Sequence, residues 1–386
     1  MIVTTDAEMI AARAAGDRKL PPSGSWREGL NRFLADVGKS RTLRPGARSN
    51  IEAYATATLR ARFAVDDWLA ANAQAAAAPV SRPLFILGMP RAGTTLLLNL
   101  LRFDPQRRVY WHWEGNREIP PTQSARLHDD PRIARRVAEV NAALDSGALP
   151  RNHHVELGNE PTECNWILGQ DFKAYPWLVQ TIVPDYFEWL VHEADMVLAY
   201  RHHARVLRAL QNGAPGAWTL KFPSHALSLD AIFAVYPDAR IVMTHRDPVK
   251  PVASSCSLCD HILSLQNTSV DRKAVGYQTL TLNALGAQRM SAVRDAHPAG
   301  QFHDIHYKAF TRDPLATIRA LYAFEGMLLT PDVERAMQAA LDRHNIDRAD
   351  AGAHNYRLED YGLTAAGLDR AFGDYADRYG IELERD

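Results

Sequence analysis

Between residues 26 and 38, in WREGLNRFLADVG, apolar side chains fall at Trp26, Leu30, Phe33, Leu34 and Val37, with charged or small residues between them. Spacings of three and four place these on one stripe of an α-helix. Helical character persists to about residue 80. There the alanine-rich stretch AANAQAAAAPVSRP ends the run at Pro79 and Pro83, because proline lacks the amide hydrogen a continuing helix needs. Residues 1–80 are therefore expected to form a helical N-terminal extension. The pattern then changes. PLFILGM, residues 83–89, is a short unbroken apolar run closed by glycine and methionine, which suits a strand buried on both faces of a parallel sheet. TTLLLNLLRF follows and suits a helix.

The same punctuation returns after residue 215. AWTLK and RIVMTH are expected strands, ALSLDAIFAVY the helix between them, and GQFHDIHY a further strand. DPLATIRALYAFEG opens with Asp313 and Pro314, a suitable N-cap and first-turn pair. The last third ends in helices. Residues 105–215 differ, being rich in Trp, Tyr, His and Pro with little strand pattern; they are expected to be a helical insertion or lid. Residues 81–386 then form one α/β domain, and no internal repeat interrupts it.

Composition narrows the function classes. Of 386 residues 46 % are hydrophobic and 23 % charged, with a formal net charge of −1. That balance argues against a nucleic-acid binder working by bulk electrostatics, while leaving room for a local basic pocket. No stretch approaches the ~18–20 apolar residues of a membrane span, and charges scattered through the first twenty residues leave no apolar signal core. Three cysteines, Cys164, Cys256 and Cys259, do not suggest a disulfide framework. A cytoplasmic location is the expectation.

GMPRAGTT, residues 88–95, sits at the expected strand-to-helix turn, where helix N-terminal amides point at an anion. Gly88 and Gly93 have the spacing of a phosphate loop, but Thr94 stands where that loop carries lysine, and Arg91 lies inside it. A nucleoside triphosphate needs the lysine and Mg²⁺ on its outer phosphates. A ligand ending in one phosphate that bears a sulfuryl group needs neither; amides, Thr94, Thr95 and Arg91 are enough. In THRDPVKPVASS, Arg246 follows an expected strand and Ser254 comes eight residues later. Together they could grip a second phosphate.

PRAGTT, LKFPSHALSLDAI, YPDARIVMTHRDP and the Arg246–Ser254 spacing resemble the sulfotransferases that use 3′-phosphoadenosine 5′-phosphosulfate (PAPS), most of all their bacterial branch, over about residues 83–380. The resemblance implies a P-loop NTPase-like three-layer α/β fold with a central parallel sheet flanked by helices. It implies an enzyme moving a sulfuryl group from PAPS to a hydroxyl of a small hydrophobic or aromatic acceptor, with no metal and no nucleic acid partner; residues 105–215 become its acceptor-side insertion. By the same resemblance Arg91, Ala92, Gly93, Thr94 and Thr95 bind the 5′-phosphosulfate, Arg246 and Ser254 the 3′-phosphate, and Tyr307 lies near the adenine. Arg91 and Lys221 are the implied catalytic cations. Arginine stays protonated, so Arg91 would act electrostatically.

The general base stays open. His225 is the nearest histidine after Lys221, although the animal enzymes have a closer spacing, and an imidazole can take a hydroxyl proton. RNHHVELGNEPTEC offers His153, His154, Glu156, Glu160 and Glu163, and a carboxylate serves as base in some branches. GAHNYRLEDYGL resembles a bacterial-branch signature, placing His354 and Tyr356 near the 3′-phosphate or acceptor. Of the aromatic residues Trp111, Trp113, Phe172, Tyr175, Trp177, Phe187 and Trp189, most suit a core and several could line an acceptor pocket. CSLC has C-x-x-C spacing but no second pair, and HEADM lacks the second histidine of a zinc motif. The alternatives are a nucleotide kinase with a degenerate phosphate loop and an inactive nucleotide-binding protein. The sequence carries no pattern that specifies an oligomeric state.

Overall fold

The computed structural model describes residues 6–21, 23–149, 155–349 and 357–384. Five strands form one sheet: β1 Leu84–Gly88, β2 Arg107–Val109, β3 Ala217–Lys221, β4 Arg240–His245 and β5 Phe302–His306. Their order across the sheet is β2-β3-β1-β4-β5, and every pairing is parallel. Helices flank both faces, so the expected three-layer parallel α/β fold is the one observed.

Side-chain alternation along β1 shows how the layers are filled. Phe85 and Leu87 join Trp218, Leu220, Ile241 and Met243 in a core that includes the helices Met196–Gly213 and Leu229–Val235. Leu84 and Ile86 face the opposite way, into a core with Val109, Val242, Ile305 and the helices Thr94–Leu101 and Pro314–Glu325. A strand that is apolar on both faces can only sit inside such a sandwich. AWTLK and RIVMTH match β3 and β4 residue for residue. Asp313 caps its helix as expected, its side chain accepting from the amide of Ala316.

The sequence pattern did not show β2, which lies inside the region read as helical. RRV has no apolar signature because Arg107 and Arg108 are buried on partners far along the chain, Glu325 and Tyr322 for Arg107 and Trp218 for Arg108, besides the nearer Glu114. The rest of residues 105–215 is mainly helical. The helix Trp26–Lys39 buries Trp26, Leu30, Phe33, Leu34 and Val37, the stripe read from spacing. It packs against Phe172, Trp177, Phe187 and Trp189 in a common core, with Phe33 and Trp177 ring centroids 5.0 Å apart. These aromatic residues thus join the N-terminal helices to the later helical segment.

Candidate active site

The chemistry-bearing residues gather where the strands end. β1 leads into the loop 89–93, β3 ends on Lys221, Arg246 follows β4, and Tyr307 follows β5. In an open parallel sheet this carboxyl edge is where ligands bind, at the strand whose neighbours lead away in opposite directions. Here that strand is β1.

Backbone geometry explains the loop's residues. Gly88 has φ +121°, and a β-carbon there would lie 2.3 Å from the carbonyl oxygen of Thr244. Gly93 has φ +86°, and its β-carbon would lie 2.9 Å from Phe310 Cδ1. Only glycine lets the loop lie this close to β4 and to the helix after β5. Arg91, at φ +61°, takes up a left-handed conformation with a full side chain, at a cost of roughly 1–3 kcal/mol. The helix Thr94–Leu101 starts directly after the loop, with Thr94 and Ala92 buried and Arg91 exposed.

At the end of β3, Lys221 is buried but well supplied with partners. Its Nζ lies 2.7 Å from Glu163 Oε1, 3.2 Å from Glu156 Oε1 and 3.3 Å from Thr95 Oγ1. The amide of Cys164 donates to the Lys221 carbonyl at 3.0 Å, and that of Thr162 to Tyr110 at 2.8 Å. These bonds fasten the segment around Glu163 beside β3 and fix its carboxylate on the lysine. Burial pulls the Lys221 ammonium down, but Glu163 and Glu156 outweigh it and hold it above its usual value. Burial, with the help of Glu156, holds the Glu163 carboxyl above the ordinary range against the pull of Lys221. Two carboxylates sharing one cation cannot both be fully compensated, so the cluster combines a charged lysine with a proton-accepting carboxylate.

The second group forms around Arg246. Its Nη1 donates to the Arg91 carbonyl at 2.6 Å, and its guanidinium carbon stands 3.8 Å above the centre of the Tyr307 ring. Tyr307 also lies beside Gly93. Arg246 thus ties the strained loop to β4 and the helix after β5. The side chain of Glu384 takes the Nε–Nη2 edge, Oε1 at 2.6 Å from Nε and Oε2 at 2.9 Å from Nη2. These bonds hold the Glu384 carboxyl below the usual carboxylate range. Ser254 is buried on the second turn of the helix Val249–Gln266.

His225 lies elsewhere in character. Its ring is fully buried among Phe85, Tyr200 and Phe222, with Nδ1 2.5 Å from the Tyr200 hydroxyl and Nε2 unpartnered. Burial, then the nearby His203 and Lys221, pushes it far below the ordinary histidine range. Glu160 accepts from the amide of Leu157 at 2.8 Å, within its own turn. His153, His154, His354 and Tyr356 lie outside the described residues.

A cavity of about 530 Å³ opens beside Phe222, the residue after Lys221, and is lined by Leu168, Tyr175, Tyr200, Leu227 and Leu282 among others. Tyr175 is the aromatic residue of the seven considered above that reaches it. Cys256 and Cys259 are buried thiols in the core, and Cys259 Sγ meets the Tyr175 hydroxyl at 2.9 Å. Among the described residues no three His, Cys, Asp or Glu side chains converge as a metal-holding group, and no helix is long and apolar enough to cross a membrane. Sequence reasoning missed Tyr200 and Glu384, whose roles come from contacts with residues far along the chain.

Known proteins share this fold. The sulfotransferase family matches residues 83–331, from just before β1 to the start of the helix Pro331–Ala349. The crystal structure of sulfotransferase STF9 from Mycobacterium avium is 35 % identical, covers 99 % of this chain and 98 % of its own, and superposes with a TM-score of 0.91. Sulfotransferase STF1 from Mycobacterium tuberculosis H37Rv is 26 % identical, with 96 % and 99 % covered and a TM-score of 0.83. Omega-hydroxy-beta-dihydromenaquinone-9 sulfotransferase Stf3 of Mycobacterium tuberculosis (strain CDC 1551 / Oshkosh) is 23 % identical over 313 residues, 78 % of this chain and 75 % of that protein. The matched span takes in the phosphate loop, the Lys221 cluster and Arg246, and the chain belongs to the sulfotransferase family.

Proposed function

We propose that the protein transfers a sulfuryl group from PAPS to a hydroxyl of a small, largely apolar acceptor, with Glu163 as general base. The observation that carries this is the contact of Lys221 Nζ with Glu163 at 2.7 Å and with Thr95 of the phosphate loop at 3.3 Å. One ammonium joins the anion-binding loop to a carboxylate with a raised proton affinity, which is what attack by a hydroxyl on a bound sulfuryl group requires.

The donor fits the residues present. The glycine-shaped loop offers the amides and threonines of residues 92–95 to one phosphate. Arg246 and Ser254 are assigned to the 3′-phosphate, and Tyr307, between Gly93 and Arg246, to the nucleoside. As the acceptor oxygen bonds to sulfur, its proton passes to a Glu163 oxygen. The sulfur–oxygen bond to the donor phosphate breaks, and its electron pair leaves with adenosine 3′,5′-bisphosphate. Lys221 and Arg91 neutralise the charge that builds on the departing oxygen. These groups supply the positive charge that phosphoryl transfer draws from Mg²⁺, so the reaction is assigned without a metal ion.

Glu163 is preferred to His225 on geometry. A base must reach its proton within about 2.6–3.2 Å, and His225 is enclosed in the core with Tyr200 on Nδ1. The cavity beside Phe222, lined mainly by apolar side chains, is assigned to the body of the acceptor. A hydroxyl on an apolar molecule also agrees with the name of the Stf3 relative, which specifies an omega-hydroxy dihydromenaquinone. Incubation with ³⁵S-labelled PAPS and a panel of apolar alcohols and phenols tests the assignment: label should appear on at least one acceptor. ATP–Mg²⁺ giving a phosphorylated product instead, with no sulfur transfer, would favour the kinase alternative.

A further inference from the structure

The carboxylate of Glu384 forms a two-pronged pair with Arg246, the fork-to-fork arrangement by which guanidinium groups also hold phosphates. One Nη1 hydrogen is committed to the Arg91 carbonyl. A phosphate held on the Nε–Nη2 edge of this arginine would need the donors that Glu384 takes.

The segment around Glu384 is fastened chiefly by charge and polar contacts. The Glu384 amide donates to Asp247 Oδ2 at 2.5 Å, Lys250 Nζ stands 3.7 Å from Glu384 Oε2, and Lys308 Nζ lies 2.7 Å from Glu382 Oε1 and 3.4 Å from the Leu383 carbonyl. Leu383 is 49 % exposed. The Glu382 side chain is 74 % exposed, whereas that of Glu384 is only 11 % exposed. Residues 382–384 thus bury one anionic side chain and leave their apolar one, Leu383, in water, whereas Ile381 before them packs on the core. Packing alone would do the reverse. A contact of this kind yields to a stronger anion without loss of core.

We propose that Glu384 is a built-in competitor for the 3′-phosphate of the donor: its carboxylate occupies Arg246 in the nucleotide-free protein, and donor binding displaces the segment 382–384. The proposal rests on Arg246 holding the 3′-phosphate, as assigned above. Nucleotides without a 3′-phosphate leave Glu384 in place. Donor binding is coupled to release of a chain segment lying beside the loop, and the net affinity is the difference between two anions on one guanidinium.

Titration calorimetry on the full chain and on the Glu384→Gln and Arg246→Ala variants, with adenosine 3′,5′-bisphosphate and adenosine 5′-phosphate, tests this. Glutamine keeps the shape and removes the charge. Its bisphosphate affinity should rise about two- to fivefold, the scale of a partly exposed ion pair, while 5′-phosphate binding stays unchanged. Hydrogen exchange of the amides in 382–384 should also quicken with bisphosphate and not with 5′-phosphate. Weaker or unchanged bisphosphate binding by Glu384→Gln, with Arg246→Ala still costing affinity for the bisphosphate in particular, overturns the competitor and leaves the 3′-phosphate site standing. If Arg246→Ala costs both nucleotides equally, the 3′-phosphate assignment itself fails.

Discussion

The guanidinium of Arg246 donates to the backbone carbonyl of Arg91 at 2.6 Å, so one side chain both faces the assigned 3′-phosphate and braces the loop assigned to the 5′-phosphosulfate. Arg91 holds a left-handed conformation that the chain would otherwise relax. Removal of Arg246 therefore has two consequences of different size. Arg246→Ala should weaken adenosine 3′,5′-bisphosphate by an order of magnitude or more, from loss of a charged hydrogen bond of ~1.5–3 kcal/mol. Adenosine 5′-phosphate should lose less, through a loosened loop alone. Equal losses for the two nucleotides would remove Arg246 from the 3′-phosphate site.

Gly88 faces the carbonyl of Thr244 so closely that a methyl group has no place, and its φ of +121° adds backbone strain for any other residue. Gly88→Ala should cost about 2 kcal/mol or more in denaturant unfolding and impair nucleotide binding. A variant as stable as the parent would show that the loop and β4 are not held at this approach.

His225 is expected to act through stability. Its proton affinity is depressed by burial in the folded chain, while in the unfolded chain it returns to about 6.5. Below that pH the unfolded state binds the extra proton and the folded state does not, so stability is lost as pH falls from about 6.5. His203, depressed to about 3 by burial, adds in the same direction. His225→Ala should be less stable at neutral pH, lose less further stability on acidification, and keep most of its kcat in the folded fraction. A fall in kcat of ~10²–10⁴-fold at unchanged bisphosphate affinity would return the role of base to His225.

Chelation gives a simple check on the assigned chemistry. Lys221 and Arg91 supply the positive charge, so excess EDTA should leave the rate of sulfuryl transfer nearly unchanged. Activity abolished by EDTA and restored by Mg²⁺ would move the assignment towards phosphoryl transfer.

Much of the scaffold was legible because β1, β3 and β4 are short, largely apolar runs punctuated by glycine, proline or charge, while β5 was read from GQFHDIHY although only Phe302 and Ile305 of it are buried. β2 was not, since Arg107 and Arg108 are made tolerable inside the protein by Glu325 and Glu114, and no local pattern announces such a pairing. The loop could be picked out by residue type and spacing, and Lys221 by the resemblance to the sulfotransferases. Which carboxylates stand beside the lysine could not, because Glu163 and Glu156 precede it by 58 and 65 residues and reach it only through the backbone bonds that fasten their segment beside β3. Arg246 was singled out with Ser254 as a phosphate grip, but its partner Glu384, 138 residues away, looks in the sequence like an ordinary surface charge. Of the aromatic residues read as mostly core with several able to line an acceptor pocket, Phe172, Trp177, Phe187 and Trp189 pack against the N-terminal helices and Tyr175 lines the cavity. Periodicity records whether a residue is buried, and not which neighbour buries it.

The most direct measurement is the pH profile of labelled sulfur transfer from PAPS for the wild type and Glu163→Gln, paired with bisphosphate affinity for both. Burial and Glu156 hold the Glu163 carboxyl above its ordinary value. The wild-type rate should therefore fall on acidification at a pH above the unperturbed glutamate value of about 4.3. Glu163→Gln should lose ~10²–10⁴-fold in kcat and the acid limb with it, while binding bisphosphate nearly as well as before. A Glu163→Gln enzyme that keeps its kcat and the same acid limb would contradict the account.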